Sequence, residues 1–566
     1  MKVFSTPAEV LVDPSLNLTS IVERHRADSS NPVLYRRQMS PGNWQPIRAQ
    51  QFHQMVTDLA KGMIAAGIRP GDRVGIMSRT RFEWTVIDFA IWYAGAISVP
   101  VYETNAPSQA AWALAHSEAT AIFVEDEKLL ARIAEAEEFA STTQEPMQLK
   151  HRWVIENGDL DTLSTRASEV SDEQLEQVRS AAGCDDLATI VYTSGTTGRP
   201  KGCALTHGHF LNLSANTRLV EPEIANSRNS SILFLQLAQV LARLIPVLAL
   251  DAGLVIGHSP NIKNLLPDIK AFKPSVLLVV PRVLEKVYNA ASSKAGGGIK
   301  GRMFAWSAKQ ARTFSVASEK TFGPGLFKKM RHGIADALVL KKIRSVLGPY
   351  LRYIVSGGAP LATDLAHFYA GMGITLIQGY GLYETTGPIS VQHIGKNPVG
   401  GVGLPLPGNF IKIAKDGEIL VRGQSVMPGY YHLPEQTAEV MPDGKWFHTG
   451  DLGSIDRKGQ LTITGRKKEL IVTAGGKNVA PAVLEDRLRG HPLVSQVLVV
   501  GDGEPFISAL ITLDREMLPG WLRNHGLPPM TVAEAAGDPH VLAALDLSLI
   551  HLSEPTRTYS ISYAVF

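Results

Sequence analysis

The 566-residue sequence predicts an α/β fold, with a large N-terminal domain of α/β layers and a small α+β domain after it. Short apolar stretches typical of strands, at residues 72–77 and 121–124, alternate with helical patterns such as residues 51–66. This alternation is typical of α/β layers. Residues 470–513 instead follow the order strand, helix, strand, strand, which predicts a compact α+β unit.

The composition favours a large enzyme that works in a reducing compartment. With 45% apolar and 19% charged residues, a chain of this length can bury several cores. Residues 1–7 have no apolar core of a signal peptide, so we do not expect export. The apolar window 240–257 contains Arg243 and Asp251, which predicts a core helix and strand and not a membrane span. Two cysteines give no disulfide framework and favour the cytoplasm.

A loop of small residues lies between a predicted strand, residues 188–192, and Lys201. Its hydroxyls and glycines are Thr193, Ser194, Gly195, Thr196, Thr197 and Gly198. The glycines allow backbone N–H groups to turn toward a phosphate. A Walker A motif is excluded, because Arg199 and Pro200 separate Gly198 from the lysine. We therefore predict a phosphate-binding loop; the alternative is an ordinary surface loop.

Residues 192–202, Tyr-Thr-Ser-Gly-Thr-Thr-Gly-Arg-Pro-Lys-Gly, resemble the signature of the adenylate-forming superfamily, which includes acyl-CoA synthetases, luciferases and peptide-synthetase adenylation domains. The resemblance extends over roughly residues 30–545, with further motifs in the family's order. These motifs are Gly357-Gly358-Ala359-Pro360, Gln378-Gly379-Tyr380-Gly381, Glu384-Thr385-Thr386-Gly387, Trp446-Phe447-His448-Thr449-Gly450-Asp451 and Gly465-Arg466-Lys467-Lys468-Glu469.

The resemblance implies roles for individual residues in ATP-dependent acyl-CoA synthesis. Glu384 is expected to hold Mg²⁺, with Thr193 as a second candidate ligand. Lys201 is expected near the phosphates, and Lys468 at the hinge between the domains. The ATP and AMP site would comprise Thr193, Ser194, Gly195, Thr196, Thr197, Gly198, Lys201, Gly357, Gly358, Gln378, Gly379, Tyr380, Gly381, Tyr383, Asp451 and Arg466. The vicinity of substrate and CoA would include Gln239, Gly475, Gly476 and Lys477.

Within the ATP site, Tyr380 is expected to stack on adenine, Asp451 to accept the ribose hydroxyls and Arg466 to add charge near the phosphates. Taken alone, Asp451 could be an ordinary turn aspartate; its place in His-Thr-Gly-Asp favours the ribose role. ATP, Mg²⁺ and CoA are the implied cofactor and cosubstrates. The expected domain organisation is residues 1–464, with a β-rich subdomain at about 388–464, a hinge at 465–470, a small domain at 471–546 and an atypical tail at 547–566.

The sequence has an extra segment before Gly357, and in this it resembles the long-chain fatty acyl-CoA synthetases. Residues 294–344 contain twelve lysine or arginine residues against only Glu319 and Asp336. The aromatic residues among them are Phe304, Trp306, Phe314, Phe322 and Phe327. Such a segment could contact an anionic membrane surface peripherally or hold the phosphates of CoA; alternatively, its helices are solvated and the aromatics face the core. Nucleic-acid binding is disfavoured, because no binding motif accompanies the basic residues.

Three departures from the family pattern bear on activity. Gln239 stands where long-chain synthetases usually carry histidine, and Tyr383 where they carry threonine before Glu384. No lysine follows Lys477, so the family's distal lysine is missing, and we expect a truncated or frame-shifted end and a slow adenylation step. The leading interpretation is a long-chain fatty acid–CoA ligase. The alternatives are a non-catalytic acyl- or nucleotide-binding protein on the same fold, and an acyl-AMP ligase.

Overall fold

The fold is described from a computed structural model, which covers residues 2–143, 146–193, 199–296, 298–395, 398–476, 478–553 and 562–565. Its helices in these ranges are α1 Thr19–Ala27, α2 Ala49–Ala65, α3 Phe82–Tyr93, α4 Pro107–His116, α5 Glu127–Thr142, α6 Asp159–Thr165, α7 Asp172–Arg179, α8 His207–Val220, α9 Val240–Ala252, α10 Leu265–Phe272, α11 Pro281–Ala295, α12 Gly298–Ser318, α13 Leu326–Ala335, α14 Lys341–Leu347, α15 Thr363–Gly371, α16 Pro434–Val440, α17 Pro481–Arg489, α18 Leu518–Asn524, α19 Val532–Ala536 and α20 Pro539–Ser553.

The strands in the same ranges are β1 Val3–Thr6, β2 Val33–Ser40, β3 Asn43–Arg48, β4 Arg73–Met77, β5 Ile97–Val101, β6 Ala119–Val124, β7 His151–Val154, β8 Leu187–Tyr192, β9 Gly202–Thr206, β10 Ser230–Leu233, β11 Val255–His258, β12 Val276–Val279, β13 Tyr353–Ser356, β14 Thr375–Leu382, β15 Gly387–Val391, β16 Leu404–Pro405, β17 Asn409–Ile413, β18 Glu418–Gly423, β19 Phe447–Ile455, β20 Leu461–Arg466, β21 Ile471–Val472, β22 Asn478–Val479, β23 Val494–Val500, β24 Ser508–Leu513 and β25 Ser562–Val565.

Two mostly parallel sheets form the large domain. One has six strands in the order β7-β6-β4-β5-β8-β9, and the other has nine in the order β16-β15-β14-β13-β12-β10-β11-β2-β3. Strands β4, β5 and β6 are apolar along almost their whole length because both faces are buried. Helix α3, buried on nearly every side, packs in the same core. The predicted α/β layers are therefore confirmed.

A third sheet, of five strands in the order β1-β17-β18-β19-β20, forms the β-rich part of the chain. The residues of this sheet differ from the predicted β-rich subdomain, about 388–464, in two respects. Residues 387–391 and 404–405 extend the nine-stranded sheet instead, and the N-terminal strand β1 joins β17 in antiparallel register, with Val3 opposite Lys412. A local sequence pattern does not contain such a long-range pairing.

The small domain has its own apolar core, which includes Leu493, Ile511 and Trp521. Strands β23 and β24 pair antiparallel, and β25 adds to β24 in parallel. Helix α20 crosses the predicted boundary at residue 546, and residues 562–565 form a strand, so part of the predicted tail has regular backbone. No helix of the described ranges is both long and apolar enough to cross a membrane.

Candidate active site

The predicted phosphate loop connects two antiparallel strands of the six-stranded sheet. Tyr192, at the end of β8, pairs with Gly202, at the start of β9. The amide of Thr193 donates a hydrogen bond of 3.0 Å to the carbonyl of Lys201, which closes the base of the loop. Five predicted loop residues lie outside the described ranges: Ser194, Gly195, Thr196, Thr197 and Gly198. The structure thus places Thr193 and Lys201 side by side at the sheet edge.

Tyr430 connects this lysine to Glu384. The Tyr430 hydroxyl donates a hydrogen bond of 2.7 Å to Oε1 of Glu384, and the ring centroid of Tyr430 lies 5.0 Å from Nζ of Lys201. Glu384 lies in a short 3-10 turn, Tyr383–Thr385, directly after β14. Burial raises the pKa of Glu384, while the hydrogen bond from Tyr430 lowers it. Glu384 and Lys201 therefore both contact Tyr430, and Thr193 lies beside the lysine.

The oxygen donors of this group fit a magnesium ion. Among the described residues, Tyr430 is the side chain that donates to the Glu384 carboxylate, and Thr193 Oγ1 lies 3.4 Å from the amide nitrogen of Lys201. No group of three or more His, Cys, Asp or Glu side chains that could hold a metal occurs in the described part of the chain. Mg²⁺ prefers one or two carboxylate or hydroxyl oxygens together with phosphate and water oxygens. The residues present are of that kind.

A second group centres on Asp451. Its Oδ2 accepts a 2.6 Å hydrogen bond from the Tyr380 hydroxyl, and its Oδ1 accepts a 2.9 Å bond from Nε of Arg466. The register of β19 and β20 sets Asp451 directly opposite Arg466. Burial and the neighbouring carboxylate raise the pKa of Tyr380, so its hydroxyl stays protonated as a donor. Arg466 lowers and Asp451 raises the pKa of Glu384 through their charges, so the two groups are near enough to interact electrostatically.

Glycines form the backbone wall beside these side chains. Strands β13 and β14 run parallel, and a Cβ added at Gly357 would lie 3.6 Å from the carbonyl oxygen of Gly379. Gly358 has a φ of +79°, which favours glycine. At Gly381 an added Cβ would lie 1.8 Å from the carbonyl oxygen of Gly387, so no larger residue fits. Next to Gly379, the amide of Gln378 donates to the Gln392 side chain at 2.9 Å.

Tyr383 has a partner that the sequence did not indicate. Its hydroxyl makes a short hydrogen bond with the hydroxyl of Tyr102, which follows strand β5. The bulky residue that replaces threonine before Glu384 is thus tied to the neighbouring sheet. Its predicted contact with nucleotide stays a prediction.

The other predicted residues of the described ranges make no hydrogen bond with Glu384. Gln239 directly precedes α9, and its amide donates to the carbonyl of Gln236. Lys468 is exposed and makes no hydrogen bond to a described residue. In the small domain, Gly475 and Gly476 are exposed, and the amide of Gly476 donates to Thr473 of the same loop. Lys477 lies outside the described ranges. Their roles toward substrate and CoA stay predictions.

Tyr430 and Tyr102 are the site residues that sequence reasoning missed. Tyr430 follows Pro428 and Gly429, a dipeptide that is typical of a turn, and an aromatic residue after such a turn is the one local signal. No comparable turn signal in the sequence precedes Tyr102. Both residues reach the site only through pairing between distant strands and loops.

A cavity of about 290 Å³ lies among other residues, with Arg79, Arg81 and Glu125 in its lining. Nε of Arg79 donates to Oε1 of Glu125 at 2.9 Å, and Nη1 of Arg81 lies 3.6 Å from the same oxygen. These charges largely neutralise one another. The cavity contains none of the predicted site residues.

Comparison with known proteins places the chain in a family. A family model described as AMP-binding enzyme matches residues 24–431, which is most of the sequence. The chain belongs to the AMP-binding enzyme family. A second model, the AMP-binding enzyme C-terminal domain, matches residues 468–520 of this AMP-binding enzyme.

Curated relatives of this AMP-binding enzyme cover nearly its whole length. It is 43% identical over 550 residues to long-chain-fatty-acid–CoA ligase FadD15 of Mycobacterium tuberculosis, covering 97% of this chain and 91% of the relative. It is 30% identical over 544 residues to long chain acyl-CoA synthetase 6, peroxisomal, of Arabidopsis thaliana, covering 90% and 74%.

Solved structures of low sequence identity share the fold. Anthranilate CoA ligase AuaEII in complex with anthranoyl-AMP has a TM-score of 0.72 at 18% identity, covering 98% of this chain and 94% of that one. O-succinylbenzoate coenzyme A synthetase from Bacillus subtilis, in complex with ATP and magnesium ion, has a TM-score of 0.67 at 19% identity, covering 96% and 95%. At these identities the likeness shows the fold alone.

Proposed function

We propose that this AMP-binding enzyme is a long-chain fatty acid–CoA ligase that forms an acyl adenylate from fatty acid and ATP and then transfers the acyl group to CoA. The observation that carries the proposal is the assembly of Glu384, Tyr430 and Lys201 beside the Tyr380, Asp451 and Arg466 group. The 43% identity to FadD15 over 97% of the chain supports the same substrate class.

In the first step a carboxylate oxygen of the fatty acid attacks the α-phosphorus of ATP, and the bond from that phosphorus to the bridging oxygen breaks to release pyrophosphate. A carboxylate is a weak nucleophile, so the step depends on alignment and on neutralised phosphate charge. Lys201 supplies one such charge. Arg466 supplies another, because its Nε is bound to Asp451 while its Nη groups make no hydrogen bond to the described residues.

Glu384 and Thr193 are the residues that would hold Mg²⁺, which offsets phosphate charge when bound. Tyr430 fixes one oxygen of Glu384 and leaves the other for that role. Asp451, held between Tyr380 and Arg466, would accept the ribose hydroxyls through its remaining lone pairs. In the second step the CoA sulfur attacks the acyl carbon, the bond from that carbon to AMP breaks, and the thiol proton leaves to solvent.

The test is turnover of palmitate, ATP and CoA, with AMP, pyrophosphate and palmitoyl-CoA measured separately. All three products are expected in equal amounts. Pyrophosphate and acyl adenylate without any thioester would indicate an acyl-AMP ligase. Tight nucleotide binding without pyrophosphate release would indicate the non-catalytic alternative.

Glu384→Gln tests the metal assignment within the same assay. Metal-assisted stabilisation acts mainly in the transition state, so kcat for adenylation is expected to fall about 100-fold or more while fatty-acid binding is retained. The matched control is Glu435→Gln, which changes an exposed residue of α16. Equal adenylation rates for Glu384→Gln and the parent enzyme would reject the assignment.

For location, our proposal is the cytoplasm with peripheral contact at a membrane surface. Cys184 and Cys203 are both free and buried, as expected of a protein from a reducing compartment. The basic residues 294–344 support the membrane contact, because anionic lipid attracts clustered lysine and arginine.

A further inference from the structure

The aromatic residues of the basic segment divide into two groups in the structure. Phe304 is buried in the core. Phe314 is half-buried and stacks on His332 with ring centroids 4.0 Å apart. Phe322 and Phe327 instead remain 99% and 65% exposed. The alternative in which the aromatics face the core therefore fits Phe304, whereas Phe322 and Phe327 lie on the surface.

Helix α13 carries an exposed apolar stripe. Leu326 is 85% exposed, Phe327 65%, Met330 54% and Ile334 48%. At 100° per residue these four side chains lie within an arc of about 100°. Ala335, on another side of the helix, is fully buried. The helix is thus fixed to the domain by one face and presents a second apolar face to solvent.

On α13 itself, Lys329 and Arg331 flank this stripe on its two sides. Between positions 320 and 342 the basic residues are Lys320, Lys328, Lys329, Arg331, Lys341 and Lys342. The single acidic residue in that interval is Asp336, and it forms an ion pair with Arg344. Arg331 lies with its guanidinium carbon 5.5 Å from the ring centroid of Phe327, so a charge directly adjoins the apolar face. The net charge of the surface is therefore strongly positive.

We propose that α13, together with Phe322, inserts its apolar stripe into the headgroup region of an anionic lipid bilayer and lies parallel to the membrane plane. An apolar face edged by lysine and arginine is the chemistry of interfacial helices on anionic lipid. A second copy of the chain fits poorly, because the same basic residues would then oppose each other. The inference deepens the proposed peripheral contact and does not depend on the ligase chemistry.

The experiment is sedimentation of the full chain with phosphatidylcholine vesicles, with and without phosphatidylglycerol. Binding is expected only with the anionic lipid, and it should weaken steeply with salt, because exposed charges are screened over about 10 Å at 0.1 M. Reversing two flanking charges, Lys329→Glu with Arg331→Glu, should lower partitioning about 25-fold or more, since each basic residue near the leaflet contributes roughly fivefold.

Leu326→Ser with Phe327→Ser should lower partitioning by roughly tenfold for each side chain removed from the bilayer. The matched control is Leu498→Ser with Leu510→Ser, an exposed apolar pair that lies cross-strand in the small domain, away from the basic segment. This control should bind as the parent does. Both variants replace exposed residues, and circular dichroism would verify that they fold.

A label gives an independent readout of insertion. Because Cys184 and Cys203 are buried, Met330→Cys offers a selective site for an environment-sensitive dye, and its emission should shift to the blue on anionic vesicles. An unchanged emission, equal binding to neutral vesicles, or full binding by the serine variant would overturn the inference. So would concentration-dependent dimers that the serine variant abolishes. Ligase turnover without vesicles tests the proposed function separately.

Discussion

The hydroxyl of Tyr430 donates a 2.7 Å hydrogen bond to Oε1 of Glu384 across 46 residues of sequence. The bond holds one oxygen of the Glu384 carboxylate in place. Tyr430→Phe should therefore leave Glu384 free to rotate. Adenylation, measured by ATP–pyrophosphate exchange, is expected to slow by about 10- to 100-fold, because misplaced catalytic groups lose much of their effect.

The control for that change is Tyr431→Phe. In the parent enzyme the hydroxyl of Tyr431 makes no hydrogen bond to a described residue. It should exchange at the parent rate. If Tyr430→Phe also exchanges at the parent rate, the tyrosine has no part in holding Glu384.

Gly381→Ala is expected to disrupt the wall of the nucleotide site. The new Cβ would lie 1.8 Å from the carbonyl oxygen of Gly387, so β14 or β15 must shift. We expect kcat/KM for ATP to fall about tenfold or more, or the protein to lose stability by roughly 1–3 kcal/mol, as in other overpacked sites. Gly325→Ala is the control, since nothing lies within 4 Å of its added Cβ. Unchanged kinetics and melting temperature for Gly381→Ala would contradict the observed packing.

Lys468→Pro tests the predicted hinge. Proline fixes φ near −65° and should hold the small domain in one orientation. Adenylation and thioester formation, measured separately, are then expected to change by different factors. Lys468→Ala removes the same charge but keeps backbone freedom, so the two half-reactions should stay balanced in that variant. A parallel loss of both half-reactions in the proline variant, with folding intact, would place the hinge elsewhere.

His258 should make stability depend on pH. Burial lowers its pKa to about 4, and its Nε2 lies 3.0 Å from the Thr85 hydroxyl. The unfolded imidazole titrates near 6.5, so the unfolded chain binds a proton first. The stabilisation is complete above pH 6.5 and is lost as pH falls from 6.5 toward 4. His258→Leu should reduce the difference in unfolding free energy between pH 7 and pH 5 by about 2 kcal/mol.

The exposed His540 provides the comparison, and His540→Leu should leave that pH difference unchanged. Urea titrations at both pH values measure it. An equal pH dependence for the parent and for His258→Leu would show that this imidazole already binds its proton in the folded enzyme.

Local apolar patterns predicted much of the large domain. The expected strands at 72–77, 121–124 and 188–192 are β4, β6 and β8, and the expected helix at 51–66 is α2. These elements are buried on one or both faces, so their hydrophobic periodicity is strong. The window 240–257 is indeed a core helix followed by a strand.

Tertiary contacts account for what the sequence left out. Two hydrogen bonds depend on how distant loops come together at the sheet edges. They join Tyr430 to Glu384 and Tyr102 to Tyr383. No local periodicity contains that information. In the same way, composition marked residues 294–344 as basic and aromatic, but packing alone decides that Phe304 is buried and Phe327 exposed.

Because β1 pairs with β17, the first strand of the five-stranded sheet cannot pair until β17 has been synthesised. Val3 leaves the ribosome before its partner Lys412, which is made roughly 400 residues later. At about 5–20 residues per second, the first strand waits roughly 20–80 s for its neighbour. Closing so large a loop also costs more entropy than pairing adjacent strands. The five-stranded sheet is therefore completed only after β20 has been made, and until β17 is made the backbone of Val3–Thr6 lacks its partner strand.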